Sequence, residues 1–410
     1  MLAWFWSGCI VFSFLACVIQ LIFFGNTDIF NVAVSALFDT ATLSVEIAIG
    51  LIGLMAVWLG FFKIAEHAGI IKAIAALLTP FFQKLMPELP ANHPAIGSMT
   101  MNLGANALGL DNAATPLGIK AMKDLQLVNN SKDTLSDAQI LFLVLNTSAV
   151  TVIPVTVFLY RAQMGATHPT EVFIPILLST FASTLIGLLS VAYVQKLPLL
   201  NRTVLFYLAA FSAVPVLLAA YFLSLPKDVM STNAQVVANF VLFSVVAIFL
   251  LAGWRKKINV YDAFIEGAKQ GFETAINLIP YLIAMLLAIA LLRASGILTG
   301  LLGIISDALQ LLGIDTRFVD ALPTAIMKPF SGSGARAAMI EVMQNNGVDS
   351  FAAKVAAVMQ GSTETTFYVL AVYCGAVGIT RIRYAMTCGL LADAAGITTA
   401  IFISYAFFGN

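Results

Sequence analysis

Two stretches rich in small and polar residues, residues 102–118 and 328–341, interrupt a strongly apolar chain. The side chains in them that could bind a ligand are Asn102, Asn106, Asp111 and Asn112 in the first stretch and Ser331, Ser333 and Arg336 in the second. Backbone that leaves its helix inside a membrane is tolerated only where it packs in protein or lines a wet cavity. Paired interruptions in the two halves of a chain point to a transport site. The spacing therefore predicts two helical hairpins that meet at a binding site.

Two further polar interruptions fall inside apolar runs, one downstream of each hairpin. They contribute Asn146, Thr147 and Ser148 in the first half of the chain and Ser362, Thr363, Glu364 and Thr365 in the second. Amide and hydroxyl groups bind a polar ligand through hydrogen bonds or, together with backbone carbonyls, coordinate a sodium ion. The alternative is that the side chains only bond back to the helix one turn earlier. The pattern predicts two broken membrane spans that face the hairpins.

Acidic side chains at membrane depth are costly and usually functional. Asp111 and Glu364 are the acids whose polar surroundings best fit direct contact with a substrate or a coupling ion. Pairing with nearby basic residues, or capping of a broken helix, is the structural alternative for both. Glu46 and Asp393 lie in less polar surroundings, and we rank them below the other two.

Basic side chains in the second hairpin could form an anion site. Arg336 follows a Gly-Ser-Gly segment and begins a half-helix, with Lys328 just upstream. The first turn of a helix presents free N–H groups and the positive end of the helix dipole, which favour an anion. The alternative is that both residues anchor the hairpin at the membrane interface.

The remaining composition argues against several functional classes. The three His residues lie far apart, the four Cys residues match no zinc or redox spacing, and no Ser/His/Asp arrangement is evident. The formal net charge is zero, so the composition lacks the excess of basic residues that is typical of nucleic-acid-binding proteins. We therefore expect no enzyme activity, no metal site, no cofactor and no nucleic-acid partner.

The overall composition defines the class of protein. Hydrophobic residues make up 60% of the 410 residues and charged residues only 10%, with a mean hydropathy of +0.94. Soluble domains carry roughly a quarter charged residues. The chain is therefore predicted to be a polytopic helical membrane protein. Its first apolar run, Leu2–Phe24, has no basic residue before it and no small-residue cleavage site, so we interpret it as a retained helix and not as a signal peptide.

The two halves of the chain repeat the same order of parts. His67-Ala-Gly69-Ile-Ile in the first half parallels Ala294-Ser-Gly296-Ile-Leu in the second. Predicted spans at residues 41–62 and 275–292 precede these motifs, and an amphipathic segment, a hairpin and a broken span follow each. We divide the chain into an N-terminal helix and linker (residues 1–39), a first repeat (40–195), a linker with two membrane helices (196–258) and a second repeat (259–410).

An odd number of crossings separates the two repeats, so the second should enter the membrane from the opposite face. The predicted fold is all-α, with inverted structural repeats, about nine membrane spans, two re-entrant hairpins and amphipathic interfacial helices. Most of the 21 Lys and Arg residues then lie on the side of the N-terminus. The positive-inside rule therefore predicts a cytoplasmic N-terminus and a C-terminus outside.

The polar motifs resemble a known family. Asn102-Leu-Gly-Ala-Asn106-Ala-Leu-Gly-Leu-Asp111-Asn112-Ala-Ala-Thr-Pro116 resembles spore maturation protein A. Pro329-Phe-Ser-Gly-Ser-Gly-Ala-Arg336 and Gly361-Ser-Thr-Glu364-Thr-Thr-Phe-Tyr368 resemble spore maturation protein B. The likeness covers residues 40–194 and 261–404, so the chain looks like a natural fusion of the two. Both belong to the nucleoside-recognition, or Gate, superfamily, whose distant relatives include concentrative nucleoside transporters and the membrane domain of ferrous iron transporter B.

The resemblance implies a multi-pass protein of the bacterial inner membrane with two hairpin-containing repeats. It does not imply iron transport, because the chain carries no GTPase domain of the iron family and both hairpin stretches lack Cys. Nor do the residues establish selectivity for nucleosides.

The first functional hypothesis is a secondary transporter of a small polar or anionic solute, nucleoside-like or a carboxylate, with Na⁺ or H⁺ as the coupling ion. Alternating access would come from movement between the two repeats. The alternatives are a non-transporting scaffold or regulator of envelope or spore maturation, and a transporter of a lipid-linked precursor. The expected partners are the solute and the lipid bilayer, and a homodimer is compatible with these features.

Overall fold

The structure, a computed structural model, describes residues 2–90, 93–109, 111–148 and 151–409; for residues 2, 3, 111–113, 227, 228 and 231 it describes the backbone alone. In chain order the helices are α1 (Leu2–Phe24), α2 (Ile29–His67), α3 (Ile70–Leu85), α4 (Pro94–Ala107), α5 (Asp111–Gln126), α6 (Asp137–Ser148), α7 (Val155–Gln163), α8 (Phe173–Gln195), α9 (Arg202–Leu223), α10 (Lys227–Arg255), α11 (Val260–Ala294), α12 (Ile297–Leu311), α13 (Leu322–Met327), α14 (Gly332–Asn346), α15 (Phe351–Gly361), α16 (Thr366–Gly375) and α17 (Ala385–Phe408). A 3₁₀ turn, Val319–Ala321, precedes α13. Over the described ranges, β-structure is limited to an isolated bridge between Thr134 and Arg381.

Seven of the described helices, α1, α2, α8, α9, α10, α11 and α17, are long and apolar enough to cross a membrane. A spanning helix needs about 20 predominantly apolar residues. Large apolar side chains on α9 and α10 face outward, and Phe206 and Phe243 are 69% and 78% exposed. Such surfaces are stable only against lipid. The protein is therefore a multi-pass helical membrane protein, as its composition predicts.

The order of long and short helices in α2 to α8 is matched in α11 to α17. In both series a long helix ends at a glycine in the left-handed conformation, Gly69 with φ 79° and Gly296 with φ 74°. An amphipathic helix of 16 residues (α3) or 15 residues (α12) follows. Next come a pair of helices joined by a tight connection, two short helices in series, and a long apolar helix. The first arm of the second pair, α13, is only six residues long.

The long helices α2 and α11 extend beyond the spans predicted at residues 41–62 and 275–292. They have 39 and 35 residues. Their polar ends remain helical because they bind each other: the Lys63 ammonium lies 3.2 Å from the Glu266 carboxylate, and the rings of Phe61 and Phe264 meet edge to face. Residues 261–271 are therefore the first part of α11 and not a separate element.

Helices α2 and α11 form the most extensive helix pair and approach each other through glycines. A Cβ atom built on Gly267 would lie 2.2 Å from the Leu59 carbonyl oxygen, and one on Gly271 would lie 2.6 Å from the Ala56 Cα atom. Small residues let membrane helices approach until their backbones touch. The pair therefore joins the first half of the chain to the second along most of its length.

A buried ion cluster, the Arg161 cluster, also joins the two halves. The Arg161 side chain is fully buried, and its guanidinium donates to the Glu171 carboxylate at 2.6 Å and to the Asp349 carboxylate at 3.3 Å. Lys354 lies 3.1 Å from the second oxygen of Glu171. Thr167 donates its amide and its hydroxyl to Asp349. The cluster holds the end of α7 against the loop between α14 and α15.

Candidate functional site

The two broken spans meet at a backbone carbonyl. Helix α6 ends at Ser148, and the second break separates α15 from α16. The Thr147 carbonyl accepts a hydrogen bond from the Glu364 amide at 2.8 Å and another from the Thr363 hydroxyl at 2.9 Å. Backbone groups freed by a helix break need partners when they are buried. The two breaks are therefore hydrogen-bonded to each other, and this contact joins the two halves of the chain.

The first helical pair, α4 and α5, contacts the first break. Asn106, in the last turn of α4, donates to the Asn146 side-chain oxygen at 2.9 Å, and Asn146 donates back to the Phe142 carbonyl. Asn102 donates to the Ala114 carbonyl at 2.7 Å. Asn106 therefore connects the pair to the broken span, whereas Asn102 holds α4 to α5.

The second helical pair, α13 and α14, contacts the second break. The Phe367 amide donates to the Pro329 carbonyl at 2.9 Å, and the rings of Phe330 and Phe367 stack with their centroids 5.0 Å apart. Ser331 caps α14 by accepting from the Gly334 amide at 3.0 Å. Because Gly332 has no side chain, the connection lies close to the Thr365 hydroxyl. The tip of this pair is thus fixed on the break.

The predicted site residues fall into two groups by exposure. Asn106, Ser333, Arg336 and Glu364 are partly exposed, whereas Asn102, Asn146, Thr147, Ser148, Ser331, Ser362, Thr363 and Thr365 are buried. Several buried side chains bond back within their own helix: the hydroxyls of Thr147 and Ser362 donate to the Val144 and Met359 carbonyls at 2.9 Å and 2.8 Å. The partly exposed group is therefore the one that a solute can reach. The side chains of Asp111 and Asn112 lie outside the described residues.

Arg336 is the fifth residue of α14 and lies near α7. Its Nε atom is buried and meets no hydrogen-bond partner in the described part of the chain. Tyr160 on α7 is 1% exposed, and its hydroxyl likewise finds no partner there. The two side chains are close enough to interact electrostatically. A buried donor without an acceptor costs about 1–3 kcal/mol, so each of these two groups lacks a favourable partner among the described residues.

Asp393 on α17 also contacts the second break, although its sequence surroundings place it below Asp111 and Glu364 as a candidate. We call the two breaks together with Asp393 the polar centre. The Asp393 carboxylate is 2% exposed and accepts from the Thr363 hydroxyl at 2.5 Å and from the Thr366 hydroxyl at 2.6 Å. Lys328 and Glu364 are the charged side chains that interact with it. An isolated acid within an apolar helix is itself a functional signal. The sequence around Asp393 lacks a polar break, and this is why we ranked it below Glu364.

The chemistry of the centre suits hydrogen bonding and proton transfer. Carboxylate, hydroxyl and amide groups and the Lys328 ammonium lie there. Within the described residues, no group of three or more His, Cys, Asp or Glu side chains has a metal-binding arrangement. Lys328 donates to the Gln360 carbonyl at 2.7 Å and so supports the end of α15.

A bundle of apolar helices, seven of those described being long enough to cross a membrane, defines a multi-pass membrane protein. The Gate family model, described as nucleoside recognition, matches residues 48–166 and 275–380, more than half of the chain. The chain belongs to the Gate, or nucleoside-recognition, family.

Two relatives correspond to the two motif resemblances in the sequence. The chain is 42% identical over 166 residues to spore maturation protein B of Bacillus subtilis (strain 168), an alignment that covers 40% of this chain and 92% of that protein. It is 41% identical over 148 residues to spore maturation protein A of the same organism, covering 36% of this chain and 76% of that protein. No solved structure matches the chain.

Proposed function

We propose that the protein is a secondary transporter of a small polar or anionic solute, driven by Na⁺ or H⁺. Its relatives are named for spore maturation, and we propose that this transport serves that process at the bacterial inner membrane. The first repeat, residues 40–195, corresponds to the A protein and the second, residues 259–410, to the B protein. The N-terminal helix (residues 1–39) and the linker (196–258) complete the chain.

The proposed architecture has nine spans. Seven are the long helices, and the series α6–α7 and α15–α16 are the two broken spans. The pairs α4–α5 and α13–α14 are re-entrant hairpins, and the two repeats are inverted. Alternating access follows from movement of one hairpin-containing repeat against the other.

The convergence of four helix interruptions carries this proposal. Asn106 binds the first break, the Pro329 carbonyl binds the second, and Glu364 joins the breaks through the Thr147 carbonyl. Discontinuous helices in membranes support transport because their free termini bind polar solutes and ions. A scaffold gains nothing from them, since an unbroken apolar helix satisfies its backbone without outside partners.

Arg336 favours an anionic solute. Its Nε atom and the Tyr160 hydroxyl are buried donors without acceptors in the described part of the chain. A carboxylate or another oxyanion would pair with the partly exposed Arg336 side chain and receive added stabilisation from the free amides at the start of α14. Ser333, also partly exposed and 3.1 Å from the Ser331 hydroxyl, would supply a third polar contact.

Ligand-induced thermal stabilisation of the purified protein tests the proposal. Nucleosides, dicarboxylates, pyridine carboxylates and amino acids are each screened with and without Na⁺ and over a range of pH. A true ligand at a hundred times its dissociation constant adds about 2.7 kcal/mol of stability. We expect a carboxylate to stabilise the wild type and the Arg317→Ala control, because Arg317 is an exposed residue paired with Asp315. Arg336→Ala should lose this response.

Two results would contradict the proposal. A flat screen across all solute classes, with a well-folded sample, would favour the scaffold or the lipid-linked precursor. An anionic ligand that stabilises Arg336→Ala as strongly as the wild type would show that the solute binds elsewhere.

A further inference from the structure

A hydrogen-bond network ties α17 to both breaks through Asp393. The two carboxylate oxygens of Asp393 contact different hydroxyls of the second break, Thr363 at 2.5 Å and Thr366 at 2.6 Å. Thr363 also contacts the Thr147 carbonyl of the first break at 2.9 Å. These four residues are all at least 97% buried. The protonation state of Asp393 therefore matters for the contact between the two halves.

The network holds more acceptors than protons if Asp393 is ionised. The Thr363 hydroxyl has one proton but lies near three acceptors: the Asp393 carboxylate, the Thr147 carbonyl and the Glu364 carbonyl at 3.3 Å. An ionised Asp393 would accept the hydrogen bond from that hydroxyl, so the Thr147 carbonyl would keep its bond from the Glu364 amide but face a Thr363 oxygen that no longer donates to it. A proton on Asp393 completes a chain of hydrogen bonds, because Asp393 then donates to the Thr363 hydroxyl and Thr363 donates to the Thr147 carbonyl.

The distances match a proton better than a metal ion. Hard cations bind oxygen ligands at about 2.3–2.6 Å, so neighbouring ligands lie more than ~3 Å apart. The carboxylate–hydroxyl distances of 2.5 Å and 2.6 Å lie at the short end of the O–H···O hydrogen-bond range and are too short for two oxygens that share a bound cation.

The charged neighbours of Asp393 act in opposite directions. Lys328 favours the ionised form of Asp393, and Glu364 opposes it. The ammonium of Lys328 also donates to the Gln360 carbonyl at 2.7 Å. Burial itself disfavours a charged carboxylate, since moving the charge out of water is costly.

We infer that Asp393 is a proton-binding site and that its proton locks α17 to the two breaks. Release of this proton breaks the chain of donors from Asp393 to the Thr147 carbonyl and loosens the contact between the two halves. The assignment of Asp393 as the site of proton coupling rests on the proposed transport function, whereas proton binding by Asp393 does not.

Infrared difference spectroscopy of the purified protein in lipid vesicles tests this inference without a solute. At neutral pH the wild type should show the carbonyl absorption of a buried protonated carboxylic acid, which disappears at alkaline pH. Asp393→Asn should lose this band. Asp307→Asn, an exposed acid on α12, should keep it. Thr363→Val leaves the acid in place and should shift the band by removing a hydrogen-bond partner.

The outcomes separate this inference from the proposed function. A wild type without a titrating band, or a band that survives unchanged in Asp393→Asn, would overturn the proton site even if a solute binds. A band that behaves as expected supports the proton site even if the solute screen is flat. If Asp393→Asn does not fold, an unshifted band in Thr363→Val would overturn the inference.

Discussion

Two arginines of this protein have contrasting surroundings. Arg161 is enclosed by two carboxylates and by the Pro169 and Val348 carbonyls, so its donors are matched by acceptors. Burial raises the pKa of Asp349, but the Thr167 hydrogen bonds and the charges of Arg161 and Lys354 outweigh it and leave this pKa below its usual value. Arg336 instead lies near the Tyr160 hydroxyl, which has no hydrogen-bond partner among the described residues. Full pairing indicates a structural role for Arg161, and the binding role of Arg336 is the one we propose.

Replacing Arg161 tests the structural role. Arg161→Met removes the charge that two carboxylates face and leaves Glu171 buried with Lys354 as its remaining partner. Loss of one member of a buried ion pair costs about 3–5 kcal/mol, and we expect the lower end because Lys354 remains. The free energy of unfolding in detergent measures the effect.

The control for this substitution is an exposed pair. Arg381 lies 3.5 Å from Asp133 with 75% of its side chain exposed, and exposed ion pairs contribute about 0–1 kcal/mol. Arg381→Ala should therefore leave stability almost unchanged. Equal losses in both variants would show that the Arg161 cluster does not hold the two halves together.

At the level of elements, the pair of long helices α2 and α11 provides the frame for the breaks. The two helices touch at Gly267 and Gly271, where the backbone of α2 occupies the place of a side chain. Beyond this pair, α17 packs against α8 and against the short helices α6 and α15. The helix pair thus packs against α7 and α14, whereas α17, which carries Asp393, packs against the helices that precede the two breaks.

Gly267→Ala should destabilise the protein. The added methyl group would lie 2.2 Å from the Leu59 carbonyl oxygen and 2.7 Å from the Lys63 Cβ atom. Overpacking of this kind costs about 1–3 kcal/mol. The matched control is Gly53→Ala on α2, where a Cβ atom meets nothing within 4 Å. That change should stabilise the helix by up to about 1 kcal/mol.

Denaturant unfolding of the two glycine variants tests both expectations, because the free energy of unfolding should fall in Gly267→Ala and rise in Gly53→Ala. A loss of stability in Gly53→Ala equal to that in Gly267→Ala would show that the response comes from helix flexibility and not from the contact of α2 with α11.

At the level of the whole molecule, the proposed inverted arrangement of the halves predicts that equivalent loops lie on opposite sides of the membrane. Lys132 lies in the loop after α5, and Gln344 lies at the end of α14; both are exposed. In the proposed topology the first is cytoplasmic and the second is outside.

Cysteine labelling in intact cells tests this topology. Gln344→Cys should react with a membrane-impermeant thiol reagent, and Lys132→Cys should react only after the membrane is opened. The natural cysteines Cys9, Cys17, Cys374 and Cys388 are buried and should give a low background. Labelling of both positions from the same side would rule out inverted repeats.

The sequence alone determined the class of protein, the family and the positions of the helix interruptions. These depend on local properties, since a run of about 20 apolar residues or a Gly- and Asn-rich break can be identified in the sequence without knowing which helices pack against it. The membrane class and the Gate family are confirmed. The binding site, its solute and the orientation remain predictions.

Only the tertiary structure decided which polar residues bind one another and which remain available. In sequence, Thr363 and Arg336 are equally plausible ligands, but Thr363 is buried against Thr147 and Asp393, whereas Arg336 is partly exposed. The importance of Asp393, Tyr160 and Gly267 also depends on helices distant in the chain. Such contacts are set by helix crossing, which single-chain periodicity does not encode.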